Sequence, residues 1–214
     1  MRMEELKPLD IEKRSFGIID KELKEKNIIL PADRENIIKR VIHASADFEY
    51  ADTMYFSNGA AERAKELLLS GCIIVTDTNM AFSGINKKTL TELGCEAYCF
   101  MNDEGIAESS KKTGKTRAYL SMHHAVKLFK GKKVMFVSGN APTALIALKE
   151  IYDEKTYRPD FIIGVPVGFV NVVEAKEMIM ETDIPCIINK GRKGGSNIAA
   201  AIVNALMYEL KRVV

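Results

Sequence analysis

A chain of 214 residues with 47% hydrophobic and 28% charged residues is long enough to bury a sizeable core and too apolar to be disordered. A net charge of +2 makes no case for nucleic acid as a partner. No apolar run reaches the roughly 18 residues that cross a bilayer, and the opening residues 1–7 carry no apolar leader, so a cytoplasmic protein with no membrane contact is expected.

The first 56 residues read as two helices, 11–25 and 33–47, joined by residues 26–31 and set beside the rest as a cap or a partner surface. In the second helix Asp33 is the expected N-cap, and Ile37, Ile38, Val41 and Ile42, with Ser45, centre one apolar face. His43 falls nearly opposite, in line with Asn36, Arg40 and Asp47. It is therefore a titratable ring on the polar face, one turn from a guanidinium. A solvated surface histidine is the plainer alternative.

From residue 57 the pattern alternates. Amphipathic stretches at 58–69, 85–93, 116–129, 141–152, 171–181 and 196–211 separate short apolar runs at 72–76, 97–101, 134–138, 161–165 and 186–188. Continuous apolar strands between helices predict an α/β fold: one domain over 1–214, a mostly parallel sheet with helices on both faces, and a helical N-terminal segment. The polar, lysine-rich stretch 102–115 is expected to be a loop and the most mobile part of the chain.

Ligands of open parallel sheets bind beyond the carboxyl ends of the strands. Four such ends, at 76–84, 138–144, 164–171 and 191–197, are rich in Gly, Asn, Ser and Thr. Each is expected to offer free backbone N–H groups and the positive end of a helix dipole to an anion. In the second, Asn140 is expected to cap the helix, with Pro142 in its first turn. Singly, each is an ordinary strand-to-helix turn; together they suit a large ligand with several carboxylates or carbonyls. Neither the Walker A spacing nor G-x-G-x-x-G is present. Arg117, at a helix start, is placed to grip a carboxylate or to make a surface salt bridge. His123 and His124 point about 100° apart, so at most one faces any site. Cys95 and Cys99, even with that histidine pair, lack zinc spacing, and Cys72 and Cys186 open apolar runs. No metal site is expected.

Seven stretches resemble the precorrin-8X (cobalt-precorrin-8) methylmutase family. They are Arg14-Ser15-Phe16, Arg40-Val41-Ile42-His43-Ala44, Thr116-Arg117, Gly139-Asn140-Ala141-Pro142-Thr143-Ala144-Leu145, Pro166-Val167-Gly168-Phe169-Val170, Glu174-Ala175-Lys176 and Gly191-Arg192-Lys193-Gly194-Gly195-Ser196. They run in family order across about nine-tenths of the chain. The resemblance implies an isomerase of cobalamin biosynthesis that moves a methyl group from C11 to C12 of a contracted tetrapyrrole, giving hydrogenobyrinate or cobyrinate. It implies a homodimer with sites near the subunit interface and no cofactor, because the methyl group stays on one molecule. It implies His43 as the catalytic residue. Ser15, Arg40, Arg117, Asn140, Gly168, Gly194 and Ser196 are the expected contacts to the corrinoid substrate. Two other readings compete. A non-catalytic corrinoid carrier would use the same loops without needing His43. A methyltransferase using S-adenosylmethionine would need an acidic ribose-binding residue, for which Asp77 is the near match, and a Gly-rich turn that is missing.

Overall fold

The computed structural model describes residues 8–211. The opening residues 1–7, read above as lacking a leader, lie outside the described residues. Six strands, β1 (Met54–Phe56), β2 (Ile73–Thr76), β3 (Glu96–Tyr98), β4 (Val134–Ser138), β5 (Phe161–Gly164) and β6 (Cys186–Asn189), form one sheet in the order β1-β6-β5-β4-β2-β3. All pairs are parallel except β1 with β6. The five strands read from apolar runs are present. β1 was not foreseen: at three residues it is too short to show a period of its own, and it is held by pairing Met54 with Asn189 and Phe56 with Ile187.

Strands β4, β5 and β6 are buried at every position because both faces are covered. Along β4, Met135 and Val137 join Ile163, Ile187 and the helices α2 (Glu35–Ser45), α4 (Ala60–Leu69) and α11 (Ser196–Lys211) in one core. Val134 and Phe136 point the other way, toward α8 (Arg117–Leu128), α9 (Pro142–Asp153) and α10 (Val172–Met180). The long helix α1 (Pro8–Glu25) lies on α2, with Ile19 and Leu23 reaching the first core. Short helices α3 (Tyr50–Thr53), α5 (Asn79–Gly84) and α6 (Lys87–Glu92) complete that side. Among the described residues no helix is long and apolar enough to cross a membrane.

Two local expectations are corrected. The stretch 102–115, read as a polar loop, holds a regular helix, α7 (Glu104–Thr113). Asp103 accepts from the Ile106 N–H at 3.0 Å, Ile106 is buried, Gly114 closes the end in the left-handed conformation, and two lysines complement the dipole in the last turn. One buried apolar residue in a polar decamer leaves no visible periodicity, so capping carries this helix. Asp33 does not cap α2. Arg34 holds the N-cap position with no side-chain bond, and the Asp33 carboxylate is taken by the Arg34 guanidinium at 3.0 Å.

Candidate active site at the strand ends

The chain runs from β2 to β3 on one side and then back to β4 on the other, so a crevice opens beyond the carboxyl ends of β2 and β4. The protein fills this crevice itself. Asp77, fully buried just past β2, accepts the N–H groups of Gly139 (2.9 Å), Asn140 (2.8 Å) and Ala141 (2.6 Å) and the Ser138 hydroxyl (3.2 Å). Burial pushes its carboxyl above the usual range, and these donated hydrogen bonds push back. The expectation of free N–H groups at this loop is thus corrected: an internal carboxylate already occupies them. For the same reason Asn140 does not cap α9. Ala141 holds that position, and the exposed Asn140 contributes its N–H to Asp77.

The ends of β5 and β6 form a second unit. Gly195 N–H donates to the Val165 carbonyl at 2.9 Å, and Gly168 N–H donates to the Arg192 carbonyl at 3.2 Å. A Cβ on Gly194 would lie 2.1 Å from the Val165 oxygen, so only glycine lets the two loops approach this closely. Ser196 is 7% exposed and shares a 2.8 Å hydrogen bond with Thr78, so a ligand would have to compete for its hydroxyl. The Lys193 ammonium reaches Asp47 (2.6 Å) and Glu49 (2.7 Å), tying the loop to the end of α2. Those partners hold its pKa above the ordinary lysine value, and Lys193 holds Asp47 below the ordinary carboxylate value. A groove of about 370 Å³ lies there, lined by Ala44, Asp47, Val167, Lys193, Gly194 and Asn197 among others.

His43 is exposed on the polar face of α2, while Ile37, Ile38, Val41 and Ile42 are buried. Its ring stacks on Phe16 of α1, with centroids 5.2 Å apart and planes 16° apart. The Arg40 guanidinium lies over the same Phe16 ring at 4.7 Å and pairs with Glu12 at 2.6 Å. Phe16 is thus a common platform that orients the imidazole and the guanidinium. Ser15 donates to the Ile11 carbonyl one turn back, which leaves its oxygen able to accept. A cavity of about 520 Å³ between α1, α2 and α11 is lined by Glu12, Phe16, Lys39, Arg40 and Tyr208, among others. A larger concavity, about 1180 Å³, follows the outer face of α1 alone, between charges of both signs, and holds none of the expected site residues.

Arg117 is exposed at the first position of α8, with Nη1 3.4 Å from the Met101 carbonyl. Thr116 beside it bonds Thr143 in the first turn of α9 at 2.7 Å, so Arg117 and Asn140 share one edge. That edge belongs to the sheet face covered by α8 and α9, whereas His43 and Arg40 stand on the opposite face. Arg40 and His43 meet on Phe16, with Ser15 beside it in the chain. Gly168, Gly194 and Ser196 lie at the ends of β5 and β6, where one groove touches both Gly194 and Ala44, the neighbour of His43. The Ser196 backbone packs against Gly139, next to Asn140 on the edge that carries Arg117. His123 and His124 are engaged with the rings of Tyr119 (4.8 Å) and Phe100 (4.7 Å). Among the described residues no group of three or more His, Cys, Asp or Glu side chains could hold a metal ion.

The family model for CbiC, precorrin-8X methylmutase, matches residues 10–209. The chain belongs to the precorrin-8X methylmutase family. It is 42% identical to the cobalt-precorrin-8 methylmutase of Salmonella typhimurium, over 95% of this chain and 96% of that one. It is 36% identical to the precorrin-8X methylmutase of Pseudomonas aeruginosa, over 93% and 94% of the two chains. The crystal structure of precorrin-8x methyl mutase from Thermus thermophilus superposes with a TM-score of 0.84 at 34% identity, covering 95% of this chain and 98% of that one.

Four residues of this methylmutase fold have structural roles that the sequence does not show: Phe16 and Lys176, which lie in family blocks with no role assigned, Asp77, read only as a near match to a ribose-binding acid, and Lys193, read with Arg192 only as positive charge in an anion-binding loop. Phe16 lay inside a family block but shows its use only when α1 packs on α2. Asp77 follows a strand directly, a place where a carboxylate meets the N–H groups of the neighbouring strand's loop. That position was the available signal.

Proposed function

We propose that this methylmutase moves the methyl group at C11 of precorrin-8X, or of its cobalt form, to C12 within one molecule, giving hydrogenobyrinate or cobyrinate in the cytoplasm. The observation that carries the reading is the His43–Phe16–Arg40 cluster on the exposed side of α2, in a chain that aligns with named methylmutases over nearly its full length. A shift inside one molecule needs no methyl donor. Catalysis then comes from holding one conformer and one protonation state of the macrocycle. His43 is the group that exchanges a proton with the ring system, with its imidazole plane set by Phe16. Histidine changes charge near neutral pH, and proton transfer of this kind contributes typically about 10²–10⁴-fold.

The carboxylates at the rim of the macrocycle are held by Arg40, Arg117 and the loops after β5 and β6. Arg40 already pairs with Glu12, so a substrate carboxylate there shares or displaces that partner. The functional assembly is a homodimer with sites near the subunit interface.

Purified protein incubated with precorrin-8X or its cobalt form, without S-adenosylmethionine, should change the visible spectrum as the conjugated system rearranges. Binding without that change would make the protein a corrinoid carrier. A requirement for S-adenosylmethionine, or loss of label from the migrating methyl group, would end the intramolecular reading.

A further inference from the structure

Helix α10 carries a charged residue on its buried face. Lys176 has no exposed surface and sits among Val172, Ala175 and Ile179. Among the described residues no carboxylate pairs with it. Its ammonium instead donates to the carbonyls of Gly191 (2.7 Å) and Lys193 (2.9 Å) in the loop after β6. The Lys193 carbonyl also accepts from Asn189 Nδ2 at 2.8 Å. A buried ammonium is costly unless hydrogen-bonded, so this position answers to a requirement of the loop and not of the core.

The peptide bond is planar and trans, so the N–H that follows a carbonyl points the opposite way. With the carbonyls of residues 191 and 193 drawn toward Lys176, the N–H groups of Arg192 and Gly194 point away from it. No described residue accepts from either N–H. Gly194 lines the groove at the end of α2, where the Lys193 ammonium bridges Asp47 and Glu49 and offsets one of their two negative charges. These two donors, on alternate residues of the loop and unclaimed by the described residues, are available to an acceptor from outside.

We propose that Lys176 is a positioning residue for substrate binding: by drawing the carbonyls of Gly191 and Lys193 inward it turns the N–H groups of Arg192 and Gly194 outward as a two-donor seat for a carboxylate of the macrocycle. This rests on the function proposed above for its substrate, although the loop geometry itself does not. Lys176 touches the loop and not the ligand, and Arg192 adds positive charge at the rim of the seat, while the Lys193 ammonium is held by Asp47 and Glu49. The β6–α11 loop thus binds through its backbone, in a shape imposed from beneath by a side chain of another helix.

Two variants test it. Lys176→Met keeps the length and apolar stem but removes the donors. Lys176→Gln restores two N–H donors one atom short. The loop carries Lys190, Arg192 and Lys193, all exposed, so trypsin reports on its order without any substrate. Lys176→Met should be cut after these residues about tenfold faster than wild type, and its KM or Kd for the corrinoid should rise about tenfold or more, with kcat changed less. Lys176→Gln should recover part of both effects. Unchanged cleavage, or loosened cleavage with unchanged corrinoid affinity, would overturn the proposal, as would a fall in kcat at constant KM. Failure of both variants to fold would make Lys176 a folding residue and overturn it equally. If wild type binds no corrinoid, the functional reading fails and the seat with it, while the cleavage rates still decide whether Lys176 orders the loop.

Discussion

Replacing Asp77 by asparagine keeps the side-chain volume and turns one acceptor oxygen into a donor. In the wild type Oδ2 accepts from the N–H groups of Asn140 and Ala141 and from the Ser138 hydroxyl, and Oδ1 accepts from Gly139 N–H. The amide oxygen of asparagine should take the Oδ2 position, because the reverse orientation would set an amino group against two N–H groups instead of one. Gly139 N–H, which is buried, is then left facing a donor. An unsatisfied buried donor, with the loss of a charge-assisted bond, costs about 2–3 kcal/mol. Asp77→Ala strands Gly139 as well, loses the bonds to Asn140 and Ala141, and opens a small cavity, so about 4–6 kcal/mol is expected. Asn140 is exposed and Ala141 half-buried, so water recovers part of those two bonds, and Ser138 keeps the Ala141 carbonyl at 3.1 Å. Urea unfolding at neutral pH followed by far-ultraviolet circular dichroism measures both variants. Costs below about 0.5 kcal/mol for both, or an asparagine as costly as the alanine, would show that the carboxylate does not hold the β4–α9 loop in the way its hydrogen bonds indicate.

His43→Ala and His43→Asn should fold with a melting temperature close to wild type, since the ring is exposed and leaves no core cavity, and turnover should fall about 10²-fold or more while the corrinoid still binds; wild-type rates in both would remove His43 from the chemistry. Arg117→Ala should weaken corrinoid binding more than it harms folding, and a large drop in melting temperature with unchanged affinity would assign Arg117 a structural role. Burial lowers the Lys176 ammonium from 10.5 to about 8. From about pH 8 to pH 10.5 the unfolded chain therefore holds a proton that the folded chain has released, and the stability of wild type relative to Lys176→Met rises with pH across that window. Melting temperatures of the two proteins at pH 7, 8, 9 and 10 test the sign; a constant or shrinking difference would show that the buried amine does not titrate in the fold.

The sheet was legible because β2, β4, β5 and β6 are buried on both faces and so read as unbroken apolar runs. α2 was legible because its buried face is made of four residues at helical spacing, which also placed His43 outward. What stayed hidden depends on contacts far apart in the chain. β1 exists through Asn189, Ile188 and Ile187 and not through its own three residues. Phe16 meets His43 across 27 positions of chain, and Asp77 meets the 139–141 backbone across more than sixty. Lys176 did leave a mark, a lysine spaced one position from Ala175 and three from Ile179 on the apolar stripe of α10. Nothing local says whether such a lysine snorkels or reaches backbone carbonyls, and only the returning 191–193 loop decides it.

The antiparallel pairing of β1 with β6 has a consequence for how the molecule is made. Residues 54–56 leave the ribosome well before their partners at 187–189 and before the helix α11 that α2 packs against. Until those emerge the helix bearing His43 can rest only on its early neighbours α1 and α3, and much of its apolar face stays exposed to water or to chaperones. Contacts of such long sequence separation form late and slowly. Folding of this chain should therefore finish at its amino-terminal end, and a nascent chain stopped before α11 should hold a partial sheet without an ordered His43.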